Sequence, residues 1–143
     1  MDIHVLFPGG KRVDAVVGTH VIRTDQPVSA GGEDTAPAPF DLFLASLGTC
    51  AGLYVLAFCQ ARGISPEGLE LVQRHAVDPA TRQLDTVTIE IRLPPGFPER
   101  YRAAIVRAAE GCKVKKTLAH SPMISVVARP ANHNQGDLAC AVP

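Results

Sequence analysis

The sequence predicts an α+β domain with antiparallel strands, on three observations. Short strand-like segments are joined by tight turns rich in glycine and proline, which connect antiparallel neighbours and cannot carry a parallel crossover. One long apolar segment, Phe40 to Arg62, has the period of a helix and not of a strand. Two further helical patterns come after a strand hairpin, so the helices do not alternate regularly with strands as they would in a parallel α/β fold.

In chain order, Asp2 to Phe7 alternates polar and apolar residues and runs into Pro8-Gly9-Gly10. Arg12 to Val17 is strand-like again, and Gly18 precedes a third segment, His20 to Arg23, which completes a meander. Thr24 to Pro39 is rich in small and turn residues, including Gly31-Gly32; connections of that length often carry function. Pro39 suits the first turn of a helix, and Asp41 suits the positive end of its dipole. Phe40, Phe43, Leu44, Leu47, Ala51, Tyr54, Val55 and Phe58 then recur at steps of three and four. Leu42, Leu53 and Leu56 fall on other faces, so this helix is apolar nearly all round and must be covered on two sides. Gly63 stands where helices commonly end.

Leu69 to Val77 and Thr86 to Leu93 form a hairpin around the turn Asp78-Pro79-Ala80-Thr81, and Pro94-Pro95-Gly96 closes it. Glu99 to Glu110 reads as an amphipathic helix with Tyr101, Ile105, Val106 and Ala109 on one stripe. Gly111 breaks it, Val114 to Ala119 is a short helix, and Met123 to Ala128 is a final strand. The order βββ-α-ββ-αα-β makes one domain over residues 1–130, followed by a polar, loose tail over 131–143. One curved sheet covers only one face of the apolar helix, so a second copy of the chain is the expected cover for the other.

A chain of 143 residues suits a single domain. With 46% hydrophobic residues but no Trp, its core must be mainly aliphatic. Fourteen basic residues balance fourteen acidic ones, and the only cluster is Lys113, Lys115 and Lys116, so neither nucleic acid nor an anionic membrane is an expected partner. The start, Met1 to Leu6, lacks the basic and long apolar regions of a signal peptide. Polar residues interrupt Phe40 to Ala61, which favours a buried core helix over a membrane span. A cytoplasmic location is therefore expected, where thiols stay reduced and four cysteines point to reactivity, metal binding or burial before disulfides.

Cys50 lies inside the long helix within Leu47-Gly48-Thr49-Cys50-Ala51-Gly52. Glycine costs a helix interior roughly 1 kcal/mol against alanine, so two of them imply a close approach by a backbone, a helix or a ligand near the thiol. Free cysteine is also a common small core residue, and that reading stands beside the reactive one. Cys112 follows Gly111 at a helix break and opens a segment with three lysines, a setting that favours a thiolate, and the reading of a cysteine that only caps the turn stands beside it. Together the two would make a dithiol if the fold brings them close. Cys59 is about half a turn out of phase with Cys50 and reads as packing, and Cys140 lies in the tail. No Cys-x-x-Cys spacing supports zinc, and there is neither a phosphate loop nor a Gly-x-Ser-x-Gly elbow. His75 and His120 could join the thiols as ligands only through long-range folding, and His4, His20 and His133 read as strand or surface residues.

Three segments resemble the OsmC/Ohr family: Pro8-Gly9-Gly10-Lys11-Arg12, the run Pro39 to Cys50, and Glu110-Gly111-Cys112-Lys113-Val114-Lys115-Lys116-Thr117-Leu118. The resemblance spans roughly residues 2 to 130. It implies an α+β fold of antiparallel sheets packed around central helices in an intertwined homodimer. It also implies an antioxidant, stress-response activity: a thiol-dependent peroxidase of the organic hydroperoxide reductase type. Cys50 would be the peroxidatic thiol and Cys112 the resolving one, with no bound cofactor and an external dithiol, such as that of a lipoylated protein, as reductant. The family's thiolate-supporting Glu and Arg fall here on Phe40, with Asp41 next to it, and on Lys11 or Arg12. Where Pro commonly follows the second cysteine, this chain has Lys113, which places it in the OsmC-like branch. Two functions are thus expected: reduction of hydroperoxides by a Cys50/Cys112 pair, or binding of a small apolar ligand by the same fold without efficient turnover.

Overall fold

The computed structural model describes residues 1–130. Its α+β architecture is the one the sequence predicts. Strands β1 (Ile3–Gly9), β2 (Arg12–Val17) and β3 (His20–Ile22) form an antiparallel meander, with Val5 opposite Ala15 and Val16 opposite Val21. The β1–β2 register shifts between Leu6 and Gly9, where Gly9 and Gly10 take φ of 122° and 61° that only glycine adopts freely.

The long connection that follows is an ordered loop. The carboxylate of the buried Asp25 accepts hydrogen bonds from the backbone N–H groups of Gln26, Glu33 and Thr35 and from the Thr35 hydroxyl. One side chain thus ties the two ends of the excursion together. Gly32 is required inside it, because a Cβ there would lie 1.9 Å from the Gln26 carbonyl oxygen.

Helix α1 runs over Pro39–Gln60, with Pro39 in its first turn and Asp41 accepting a hydrogen bond from the Ala38 N–H at 3.2 Å. It ends with Gly63 at φ 62°, while the Ile64 N–H bonds back to the Cys59 carbonyl. By length and composition α1 would also cross a bilayer. Here Leu44, Leu47, Ala51, Val55, Phe58 and Cys59 form its buried stripe. Strands β4 (Glu70–Val77) and β5 (Leu84–Arg92) make the hairpin, and β4 packs on α1. Helices α2 (Arg102–Glu110) and α3 (Lys113–Ala119) pack on the same helix. The core joins Val55, Phe58 and Cys59 to Ile105, flanked by Leu71, Ile91 and Tyr101.

The structure corrects two expectations. Glu99–Tyr101 is a turn of 3₁₀-helix, not the start of α2; Tyr101, at φ −100° and ψ −6°, lies outside regular helical geometry. Met123 to Ala128 is not a strand, because no edge among the described residues pairs with it, and Met123, Ile124 and Val126 stand exposed. The expected tail over 131–143, with His133 and Cys140, lies outside the described residues. Apolar side chains are also exposed on the meander (Ile3, Val5, Val21) and on α1 (Phe40, Leu53).

Candidate active site

Leu47, Cys50 and Tyr54 are spaced by three and four residues, so they line one stripe of α1. The turn between α2 and α3 lies across that stripe. Gly111 ends α2, and Cys112 is the N-cap of α3, its sulfur accepting a hydrogen bond from the Lys115 N–H at 3.5 Å. The Cys112 thiol reaches the Leu47 carbonyl oxygen at 3.9 Å, a contact between residues 65 apart in sequence. Cys112 is buried and Cys50 half-buried, and both are free thiols.

The two thiols differ in acidity, in opposite directions. Cys50 is held below the ordinary thiol value, first by a hydrogen bond from the Cys112 thiol and then by the Val114 N–H. Burial opposes the shift, while the Lys113 N–H and the Lys113 ammonium add to it. Cys112, whose place at a helix start among lysines is expected to favour a thiolate, is instead pushed up, first by burial and then by its bond to Cys50, which losing the proton would forfeit. The Lys115 and Val114 N–H groups offset this only in part. Its single S–H proton has two acceptors in reach: the Leu47 carbonyl, and the Cys50 sulfur once that sulfur is a thiolate. The pair can therefore hold one thiolate, on the more accessible sulfur, beside one thiol.

The other expected residues fall elsewhere. Asp41 caps α1 nine residues before Cys50, about 14 Å along the helix axis. Arg12 donates to the Gly9 carbonyl at 3.5 Å. The Lys11 side chain lies along Gly31, its Cε 3.7 Å from where a Cβ would stand. None of the three hydrogen-bonds either thiol among the described residues. Gly48 and Gly52 do admit a close neighbour, but it is β4 and not something beside the thiol. A Cβ at Gly48 would meet Gln73 Oε1 at 3.1 Å, and one at Gly52 would meet Leu71. The Gln73 amide donates to the Leu44 carbonyl at 2.9 Å, which pins β4 to α1.

Cys59 is fully buried in the core, and burial raises its pKa against the pull of Arg62, so it packs and does not react. Among the described residues no group of three or more His, Cys, Asp or Glu is arranged to hold a metal. A shallow cavity of about 280 Å³ lies beyond the C-terminal end of α1, lined by Ile64, Ser65, Glu67 and the Pro94 to Pro98 turn, with neither thiol among its walls. Three features escaped the sequence reading: the backbone N–H groups at Lys113 and Val114, the Leu47 carbonyl, and the closeness of Tyr54 to Gly111. Only the spacing of Tyr54, four residues past Cys50, could have placed it beside the thiol.

The sequence model of the OsmC-like protein family matches residues 31–127. No curated protein is a significant match. Among solved structures, the chain is similar to a proposed osmotic-stress-induced and detoxification response protein from Psychrobacter arcticus, at 26% identity and a TM-score of 0.65, covering 80% of this chain and 85% of that one. An OsmC-like protein from Mycoplasma pneumoniae aligns at 16% identity and a TM-score of 0.66, over 84% and 87% of the two chains. The organic hydroperoxide resistance protein OhrB of Bacillus subtilis aligns at 19% identity and a TM-score of 0.54, over 84% and 90%. The latter two likenesses concern the fold alone.

Proposed function

The chain belongs to the OsmC-like family, and from that premise we propose that it reduces hydroperoxides with Cys50 as nucleophile and Cys112 as resolving thiol. The observation that carries this reading is the seating of the buried Cys112 thiol on the Leu47 carbonyl at 3.9 Å, on the same helix stripe that presents the half-buried Cys50. The opposite displacement of the two acidities agrees with it. A peroxidatic sulfur must be a thiolate at working pH and open to substrate; a resolving sulfur must wait as a thiol beside it.

The chemistry follows from those roles. The Cys50 thiolate attacks the terminal oxygen of the hydroperoxide and the O–O bond breaks. The leaving alkoxide takes a proton and departs as the alcohol, while sulfur loses two electrons and becomes a sulfenic acid. The Cys112 thiol then displaces the sulfenic oxygen, giving a Cys50–Cys112 disulfide and water. An external dithiol, free or on a lipoylated protein, returns the pair to two thiols and leaves as its own disulfide. A cytoplasmic, reducing setting belongs to the same proposal.

Phe40 stands where the family's hydroperoxide reductases carry a supporting Glu, so the thiolate needs other partners. The Cys112 thiol, the Lys113 and Val114 N–H groups and the Lys113 ammonium supply them. A proline at position 113 would remove one of those N–H groups and the cation together.

We further propose a homodimer, in which a second copy covers the apolar residues left open on the meander, α1 and Met123 to Val127. The alternative, a ligand-binding protein of the same fold, draws on the exposed aromatic pair Phe40–Phe43, with ring centroids 5.5 Å apart. It leaves the matched thiols without a use.

The test is to incubate reduced protein with cumene hydroperoxide and map the products by mass spectrometry. A Cys50–Cys112 disulfide in wild type, and sulfinic acid on Cys50 in Cys112→Ser, are the expected results. Unchanged thiols in both proteins would overturn the peroxidase reading.

A further inference from the structure

Gly111 has φ −66° and ψ −8°, ordinary helical values that any residue adopts, so backbone freedom does not explain a glycine before Cys112. Space does. A Cβ there would lie 3.1 Å from Cδ1 and 3.2 Å from Cε1 of Tyr54, and 3.0 Å from the Ala108 carbonyl oxygen. The Tyr54 ring closes against the bare Cα of Gly111. With 38% of its surface exposed, Tyr54 is not part of the buried core, so this contact is not explained by core filling.

Tyr54 sits one helical turn past Cys50, and Leu47 just under one turn before it. The Gly111–Cys112 turn is therefore gripped at two points with Cys50 between them. The ring of Tyr54 meets Gly111, and the carbonyl of Leu47 takes the thiol of Cys112. We propose that Tyr54 is a positioning residue, whose ring seats Gly111 and so fixes where Cys112 and the N–H groups after it stand relative to Cys50. The ring acts by shape; its hydroxyl has no part in it. Sub-ångström placement matters here because displacement at sulfur needs the attacking thiol close and in line, and a 1 Å error costs on the order of a hundredfold in rate.

The proposal rests on the thiol-pair reading above, but not on peroxide as the oxidant, so its test avoids peroxide. Two quantities are measured in Tyr54→Phe, Tyr54→Ala and Gly111→Ala, each checked for native circular dichroism. One is the pH midpoint of Cys50 alkylation by iodoacetamide. The other is the rate of Cys50–Cys112 disulfide formation by diamide, an azo compound that is reduced to its hydrazine as the two thiols give up two electrons and two protons. Tyr54→Phe should match wild type in both. Tyr54→Ala and Gly111→Ala should raise the midpoint and slow disulfide closure by roughly ten- to a hundredfold. A folded Tyr54→Ala with the wild-type midpoint and rate overturns the proposal. If Tyr54→Ala does not fold, a Gly111→Ala with both wild-type values overturns it. Wild-type thiols that ignore cumene hydroperoxide while these variants shift as stated would sink the peroxidase reading and leave this one standing.

Discussion

The buried thiol of Cys112 donates to the Leu47 carbonyl on the helix stripe that carries the half-buried Cys50, and of the two neighbouring sulfurs Cys50 is the more acidic and Cys112 the less. The direction follows from where charge can be tolerated. A thiolate on Cys50 has a thiol, two N–H groups and an ammonium around it, whereas one on Cys112 would be more deeply buried, a cost that the Lys115 and Val114 N–H groups only partly offset.

Removing the donor should therefore weaken the acid. Wild-type Cys50 is expected to be alkylated with a pH midpoint below the ordinary 9.0. Cys112→Ala should move that midpoint up, and Cys112→Ser, which keeps a donor, should move it less. The sign is set by the thiolate, the accepting form of Cys50, which loses the donor's stabilisation when Cys112 goes. Iodoacetamide rates across pH, read on the Cys50 peptide, decide it; equal midpoints in wild type and Cys112→Ala would remove Cys112 from the activation.

Cys59 serves as a contrast. Cys59→Ser buries a hydroxyl in an aliphatic core and should cost about 1–3 kcal/mol in denaturant unfolding, while the Cys50 midpoint stays in place. A shifted midpoint would show that the core and the site are mechanically linked.

Asp25 makes loop order sensitive to acid. Its carboxyl is lowered from 3.8 to about 2, chiefly by the Thr35 N–H and then by the Thr35 hydroxyl. Because the folded value lies below the unfolded one, its contribution to stability is fully present above 3.8 and is lost as pH falls towards about 2. Asp25→Asn should melt below wild type at neutral pH, and the gap should narrow through that window. A gap that does not change with pH would mean the carboxylate charge contributes nothing.

The exposed segment after α3 should act in self-association. Val126→Asp is expected to weaken the proposed dimer while leaving the circular dichroism of the chain intact. Sedimentation across a concentration series checks it, and an unchanged oligomeric state would place any interface elsewhere.

Much of the fold was legible because its signals are local. The three- and four-residue recurrence over Phe40 to Phe58, the Gly9-Gly10 and Asp78 turns and the helix end at Gly63 each depend on a few neighbouring residues. Met123 to Ala128 failed for the complementary reason. Its β-branched, apolar residues suit a strand, but a strand forms only against an edge, and no edge among the described residues pairs with it.

At the site, the sequence by itself marked Cys50 and Cys112 as the candidate pair and placed one of them at the opening of a lysine-bearing helix. It also marked Gly48 and Gly52 as places of close approach. Only the tertiary structure decided that β4 takes up that space, that Asp41 caps α1 far from the thiol, and that Tyr54 closes on Gly111. It alone decided which thiol is the acid. Acidity depends on burial and on which donors converge in space, and those partners come from segments some 65 residues apart, beyond the reach of any local pattern.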